Sequence, residues 1–349
     1  MDLDDEIFMA QALLIAERGI GHVAPNPMVG ALLVYKEVVI GSGYHQRFGE
    51  AHAEVNCFNS VQDDQKHLIP KSTLYVTLEP CSHHGKTPPC SERIIKEGVK
   101  RVVVATQDPH RKVDGKGIKQ LVDAGIDVKM GVLCEEARFQ NRRFFCFHER
   151  SRPYVILKWA ETMDRFMGNL GSTRLLITDD ELNKQVHQWR AEEQAILIGT
   201  DTALLDDPLL TNRLASGGSP LRIVLDFNLR LPLSLRIFQD GLPTVVINHE
   251  RDDILGSVRY IKMPREKKSL PDILNQLYSM NIQSILIEGG ATLLTSFIQG
   301  ELWDEMRVIT NESKLIGKGL ASPRIPNHIQ PSAEIVIGHS RLHYYYRLT

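Results

Sequence analysis

His52, Ala53 and Glu54, followed by Glu79, Pro80, Cys81 and, after eight intervening residues, Cys90, gather one imidazole, two thiols and a carboxylate. Catalytic zinc commonly keeps three protein ligands and leaves the fourth position to water. The metal lowers the pKa of that water to about 7, and a neighbouring Glu can move its protons. His52, Cys81 and Cys90 are therefore the expected zinc ligands and Glu54 the expected proton carrier. His83 and His84, between the cysteines, offer a fourth ligand that would close the site as a structural one. Glu54 argues the other way. Two positions beyond His52 at a helix start, its carboxylate turns from the ligand direction but stays within reach of water on the metal.

The order His-x-Glu, Pro-Cys, Cys is that of zinc-dependent base deaminases, in which the Glu is not a ligand. There two residues usually separate the cysteines; here the longer loop makes a variant. Before it stand Pro25, Asn26, Pro27, Met28, Val29 and Gly30, then Tyr44 and His45; Thr77 and Leu78 lead into Glu79. These ordered motifs resemble the riboflavin-biosynthesis deaminase–reductase family. The resemblance implies zinc-dependent hydrolytic deamination of 2,5-diamino-6-ribosylamino-4(3H)-pyrimidinone 5′-phosphate. It places Asn26, His45, His83, Lys86 and Asp108 around the pyrimidine and its ribose phosphate. After Asp108 and Pro109 the family usually has Asn; here it is His110.

The second half is similar to the family's reductase, which reduces the ribosyl group of the deaminated product to ribityl with NADPH. Leu157 to Ala160, Thr162 to Asp164, Gly199 to Pro208, Leu210 to Arg213, and Glu288 to Gly290 carry that likeness in order. No Gly-x-Gly-x-x-Gly fingerprint supports an ordinary dinucleotide fold. A strand ending in Gly289 and Gly290 at a helix start can instead present backbone N–H groups to phosphate. The resemblance implies that Ala160, Thr202, Asp206, Gly289 and Gly290 lie along the cofactor. It implies that Lys158, Arg174, Arg190, Leu210, Arg213 and Glu288 face the substrate; guanidinium groups such as Arg190 and Arg213 suit a phosphate. Two departures stand out. Arg165 follows Asp164 where the family commonly has Gly, so a different turn is expected. Arg174 and Leu176 replace a Ser-x-Trp pair, removing a stacking surface and offering an extra phosphate contact. An impaired or regulatory reductase is one alternative; a deaminase of nucleic-acid bases is another.

The elements that must position these groups alternate. Helices are expected over 5–19, from His52 onward, from Pro80 and Cys81 onward, and over 116–124 and 136–147. Strands are expected over 29–35, 37–43, 73–78, 101–106 and 126–131. Residues 148–152 read as a polar link, separating a deaminase domain (1–148) from a reductase domain (152–349). Thr178 to Glu181 read as a helix N-cap with an acidic first turn. That helix runs to about 190, and others span 270–280 and the stretch after Gly290 to 298. Strands follow over 154–160, 195–199, 221–226, 243–248, 259–261, 284–288 and 305–310. The family likeness implies a cytidine-deaminase-like three-layer α/β domain followed by a dihydrofolate-reductase-like domain.

The 349 residues, 42% of them hydrophobic and 24% charged, suit two globular cores. A formal net charge of −2 recruits neither nucleic acid nor an anionic membrane. The chain opens Met1, Asp2, Leu3, Asp4, Asp5, unlike a basic signal peptide, and no apolar run approaches a span of about 18 residues. Five cysteines without framework spacing suit a reducing cytoplasm. A homo-oligomer acting on a small phosphorylated pyrimidine is expected, with no nucleic-acid or membrane partner.

Overall fold

The computed structural model describes residues 3–82, 88–110, 113–170 and 175–347. The chain forms two compact units, Met1–Ser151 and Arg152–Thr349. The first contains α1 (Leu3–Ala16), β1 (Gly30–Tyr35), β2 (Val38–Tyr44), α2 (Ala53–Asn59), β3 (Thr73–Val76) and α3 (Cys90–Glu97). It continues through β4 (Arg101–Val104), α4 (Lys116–Asp123), β5 (Asp127–Met130), α5 (Cys134–Gln140) and α6 (Arg142–Arg150). The sheet order is β2-β1-β3-β4-β5, antiparallel across β2, β1 and β3 and parallel from β3 to β5.

Alternation along these strands builds the three layers, because successive side chains leave a strand on opposite faces. Ala31, Leu33, Leu74, Val76, Val102 and Val104 pack with Cys57 and Phe58 of α2, Ile94 of α3 and Leu121 of α4. Leu32, Val34, Tyr75 and Val103 pack with Phe8, Met9, Ala12 and Leu13 of α1 and Ala137 of α5.

Asp5 fastens α1 to this sheet. Its carboxylate is 1% exposed and accepts hydrogen bonds from Arg101 (2.9 and 2.7 Å), the Tyr75 hydroxyl (2.9 Å) and Lys129 (2.6 Å), thus reaching β3, β4 and β5. Burial alone would raise its pKa, but these partners hold it well below the usual carboxylate range. A depressed folded-state pKa contributes stability above the unfolded value, and that contribution is lost as pH falls through the folded one. Asp5→Asn is therefore expected to cost about 3 kcal/mol at neutral pH, leaving Arg101 and Lys129 poorly paired. Thermal melts should show the gap from wild type shrinking below about pH 4, and a gap that widens on acidification would contradict the assignment.

Residues 136–147 do not form one helix. The break falls at Asn141, whose amide donates to the Met28 carbonyl (2.8 Å) and accepts from the Met28 N–H (2.8 Å). Two short helices meet there because this side chain is committed to the segment entering β1. Residues 148–150, expected in the link, continue α6.

The second unit runs β6 (Tyr154–Thr162), β7 (Phe166–Gly168), α7 (Asp180–Glu192), β8 (Ala195–Gly199), α8 (Thr200–Asp206), β9 (Leu221–Leu225) and α9 (Arg236–Gln239). Then come β10 (Thr244–Asn248), β11 (Asp253–Leu255), β12 (Val258–Lys262), α10 (Leu270–Ser279), β13 (Ser284–Glu288) and α11 (Ala291–Gln299). The chain finishes through β14 (Glu305–Asn311), β15 (Leu320–Ala321), β16 (Ala333–Ile337) and β17 (Ser340–Tyr346). Ten strands form one sheet in the order β11-β12-β10-β9-β8-β13-β6-β14-β17-β16. Pairing is parallel from β12 to β14, and β11, β17 and β16 join antiparallel. Parallel strands covered on both faces read as continuous apolar runs, as Ala195–Ile198 and Ile285–Ile287 do. Asp179 caps α7 by accepting the Leu182 N–H (2.9 Å). Among the described residues, no helix is long and apolar enough to cross a membrane.

Candidate active sites

Backbone contact sets the first site. A Cβ at Gly43 of β2 would lie 2.3 Å from the Cys57 nitrogen and 2.6 Å from the Ala53 carbonyl oxygen. Glycine there lets α2 press directly on the sheet edge. His52 sits at the N-cap of α2, and Glu54 lies in its first turn with 3% exposure. Cys90 opens α3.

Cys81 does not begin a helix, contrary to the expectation from Pro80 and Cys81. The Glu79 N–H bonds to the Thr106 carbonyl (3.0 Å), which keeps the chain extended beyond β3. The Cys81 carbonyl accepts from both the N–H (3.2 Å) and the hydroxyl (3.0 Å) of Ser91, lashing it beside the α3 start.

His52 Nδ1 lies 3.6 Å from the Cys81 sulfur and 3.4 Å from the Cys90 sulfur, and all three ligand atoms fall within 4.8 Å of one another. Zn–S and Zn–N bonds of about 2.3 and 2.0 Å at tetrahedral angles separate nitrogen from sulfur by about 3.5 Å. The three side chains thus fit one zinc ion without rearrangement. Hydrogen bonding with Cys90 draws the Cys81 thiol well below the usual thiol range, whereas Cys90, bonded to Cys81 and buried, is pushed well up. Burial, with a contribution from Cys81, lifts the Glu54 carboxyl to about 6.

A cavity of about 220 Å³ opens beside these groups, and Asn26, His45, His52, Glu54, Cys81 and Asp108 all line it. His45 Nδ1 lies 3.0 Å from the Ala51 carbonyl, so it carries the proton there. Nε2 is then an acceptor and takes the Asn26 amide N–H at 3.0 Å. This fixes the Asn26 amide with its nitrogen toward His45. Asp108 is raised to about 7, first by burial, and accepts the His110 N–H at 2.7 Å. His110, the departure from the family pattern, also lines the cavity, its ring edge-on to His148 at 4.8 Å. His83 and Lys86 lie outside the described residues.

In the second unit, β13 delivers Glu288 to the edge of Gly289 and Gly290, both left-handed at φ 89° and 71°. An added Cβ would meet Thr202 Cγ2 at 2.9 Å from Gly289 and Thr202 Oγ1 at 3.0 Å from Gly290. Thr202 and the glycine pair therefore form one close-fitting cradle. Asp206 closes α8 one turn beyond Thr202. Lys158 and Ala160 leave the same face of β6, and Lys158 stands opposite Glu288 in register.

Arg190 gives Glu288 a two-pronged ion pair (2.9 and 2.8 Å) and donates to the Thr211 carbonyl (3.1 Å), with Lys158 at 3.9 Å from Glu288. Burial would raise Glu288, yet Arg190 and Lys158 overrule it and hold the carboxyl near about 2. The Arg190 fork expected at a phosphate is thus occupied by Glu288. Arg213 donates from Nη1 to the Thr211 hydroxyl (2.7 Å) and from its N–H to His187 Nδ1 (2.8 Å). Leu210 is buried with φ 57°. His187 is not among the expected residues, and the fold brings it from α7 to the 210–213 motif, within which Thr211 carries no expected role.

Arg165 retains the conformation a glycine would favour, with φ 67°. The Arg165 N–H closes a turn on the Thr162 carbonyl (2.9 Å), and its guanidinium lies 3.3 Å from Glu161. Asp164 holds the far side by accepting the N–H groups of Ile316 (3.0 Å) and Gly317 (2.7 Å). Leu176 is exposed, and Arg174 lies outside the described residues.

The family model for the cytidine and deoxycytidylate deaminase zinc-binding region matches residues 3–106, and that for the RibD C-terminal domain matches residues 153–336. The riboflavin biosynthesis protein RibD of Aquifex aeolicus is 39% identical over 322 residues, covering 91% of this chain and 89% of its own. The chain belongs to the RibD family. RibD of Escherichia coli is 36% identical, with 90% of this chain and 89% of its own covered. A deaminase/reductase of Thermotoga maritima superposes with a TM-score of 0.90 at 33% identity, covering 99% of both chains. A RibD structure from Acinetobacter baumannii gives 0.88 at 30% identity, again with 99% of both covered. This RibD chain is accordingly a bifunctional riboflavin-biosynthesis enzyme, a deaminase and a reductase. Its cofactors are zinc and NADPH, and its fold pairs a cytidine-deaminase-like domain with a dihydrofolate-reductase-like one.

Proposed function

We propose that the first unit deaminates 2,5-diamino-6-ribosylamino-4(3H)-pyrimidinone 5′-phosphate. The second then reduces the ribosyl group of the product to ribityl. The observation that carries the reading is one cavity lined by His52, Cys81 and Glu54 together with Asn26, His45 and Asp108, with Cys90 completing the ligand cluster of His52 and Cys81 beside it. His52, Cys81 and Cys90 would hold zinc, which when bound would supply the Lewis acid that acidifies water. Glu54, buried against the cavity, takes the proton from the attacking water and returns one to the departing amine as ammonia leaves. Asn26 and His45 form one rigid pair that orients the pyrimidine, and Asp108 faces the same space.

In the second unit NADPH supplies hydride. Thr202, Gly289 and Gly290 would hold it, and Ala160 and Asp206 would border it. Lys158, Arg213, Leu210 and the Arg190–Glu288 pair form the wall facing the ribose phosphate, with Arg213 its principal guanidinium. The intact cradle and the paired Glu288 support an active reductase over an impaired one. The slightly acidic chain and its reductase half disfavour a nucleic-acid base as the substrate. A cytoplasmic homo-oligomer acting on this small phosphorylated pyrimidine, and on neither nucleic acid nor membrane, completes the proposal.

Purified full-length protein is expected to release ammonia from the diaminopyrimidine phosphate and then to oxidise NADPH. After chelation of zinc, ammonia release should vanish while NADPH oxidation on supplied deaminated product continues; zinc readdition should restore the first step. Ammonia release by the zinc-free protein at the original rate would sink the deaminase assignment.

A further inference from the structure

Glu79 is 4% exposed, and its carboxylate accepts four backbone N–H groups from a stretch about 30 to 40 positions downstream. One oxygen takes those of Asp108 (3.2 Å) and Gly115 (2.9 Å); the other takes those of Gly117 (2.9 Å) and Ile118 (3.3 Å). Gly117 and Ile118 belong to the first turn of α4, where N–H groups have no partner within the helix and a negative charge is favoured. Two glycines make the approach possible. Gly115 sits at φ 81°, and a Cβ on Gly117 would fall 1.9 Å from the Pro80 carbonyl oxygen. Glu79 also precedes the ligand Cys81 by two residues, and the Cys81 carbonyl is itself held by Ser91. Asp108, whose N–H Glu79 grips, lines the same cavity as Cys81.

We propose that Glu79 is a positioning residue for the deamination. It sets the Asp108 segment at a fixed distance from the metal ligands, so that the wall reading the substrate and the wall holding the metal form one rigid frame. The inference rests on the deaminase reading of the first unit. Only a carboxylate suits the place, because all four groups it meets are donors. A glutamine would have to aim its own NH₂ at two of them and release half of the segment.

The test compares wild type with Glu79→Gln in the full-length enzyme. Glu79→Gln should raise KM for the diaminopyrimidine phosphate about tenfold or more, the worth of charge-assisted hydrogen bonds, while kcat falls less than about threefold. Zinc content should stay at the wild-type level, and the Gly115 and Gly117 amides should exchange with solvent faster than in wild type. NADPH oxidation on supplied deaminated product should not change. A merely structural role would instead lower the melting temperature and the active fraction, leaving KM as it was. Should Glu79→Gln fail to fold, Glu79→Asp decides, since it keeps the charge but is one methylene too short to reach all four N–H groups and should raise KM likewise. KM within about twofold of wild type in the folded variant overturns the proposal. Absence of ammonia release from wild type overturns the deaminase reading itself and this inference with it.

Discussion

Glu54→Gln is expected to retain zinc and to release ammonia about 10³-fold more slowly than wild type, or worse. The amide has nearly the volume of the carboxyl, so the buried place in the first turn of α2 stays filled. Its loss is chemical. An amide cannot accept the proton of the attacking water or hand one to the departing nitrogen, whereas a carboxylate lifted by burial can do both. Among the described residues the cluster able to hold the metal is His52, Cys81 and Cys90, so metal analysis should return the same zinc per chain. NADPH oxidation on deaminated product serves as the internal control. Ammonia release at the wild-type rate would remove Glu54 from the reaction; loss of zinc would make it a ligand.

The second large effect is on stability. Arg190→Met should destabilise the reductase unit by about 3–5 kcal/mol, the usual consequence of stripping one partner from a buried ion pair. Glu288 would be left with Lys158, at 3.9 Å, and the weaker influence of His187 in a place where burial already works against its charge. For a unit of this size the loss corresponds to a fall of about 10 °C in the melting temperature. NADPH oxidation surviving a heat step, measured beside ammonia release from the same sample, would locate the damage in the second unit. Adding Glu288→Gln should recover much of the loss, because the orphaned charge is what costs stability. Glu288 is depressed in the folded state, so the pair stabilises above the ordinary Glu pKa and its contribution fades as pH falls toward about 2. An Arg190→Met enzyme that melts with wild type would show the pair to be neutral.

The metal site was legible in the sequence because its chemistry is written in residue types: one imidazole and two thiols flanked by a buried-type Glu admit few other uses. The central strands were legible too, since the apolar runs at 195–199 and 284–288 can be satisfied only when both faces are covered. Cys81 was misplaced at a helix start, because Pro80 signals a helix N-terminus whether or not the chain stays extended. The hydrogen bonds from Glu79 to Thr106 and from Ser91 to Cys81 that decide the matter join distant segments. β16 and β17 escaped because the short run 335–337 is largely exposed and β17 mixes Arg341 and His343 with consecutive tyrosines; β17 takes its order from β14, and β16 from β17. Arg190 was legible as a functional cation, but not as the partner of Glu288, which lies 98 positions away. Glu79 was visible only as a motif flank. The signal that could have found it is a buried-type Glu before Pro-Cys together with the closely spaced Gly115 and Gly117 downstream.

The close fit of Thr202 against Gly289 and Gly290 also bears on how this enzyme can diverge. A side chain on either glycine meets threonine atoms at about 3 Å, so the first step away from glycine is blocked while Thr202 stands. Removing that contact requires a smaller residue at 202 first, and even then the positive φ of both glycines strains any side chain placed there. The cradle therefore acts as a ratchet on descent. Its two halves, 87 positions apart in the chain, must drift as one, and substitutions there should be strongly non-additive.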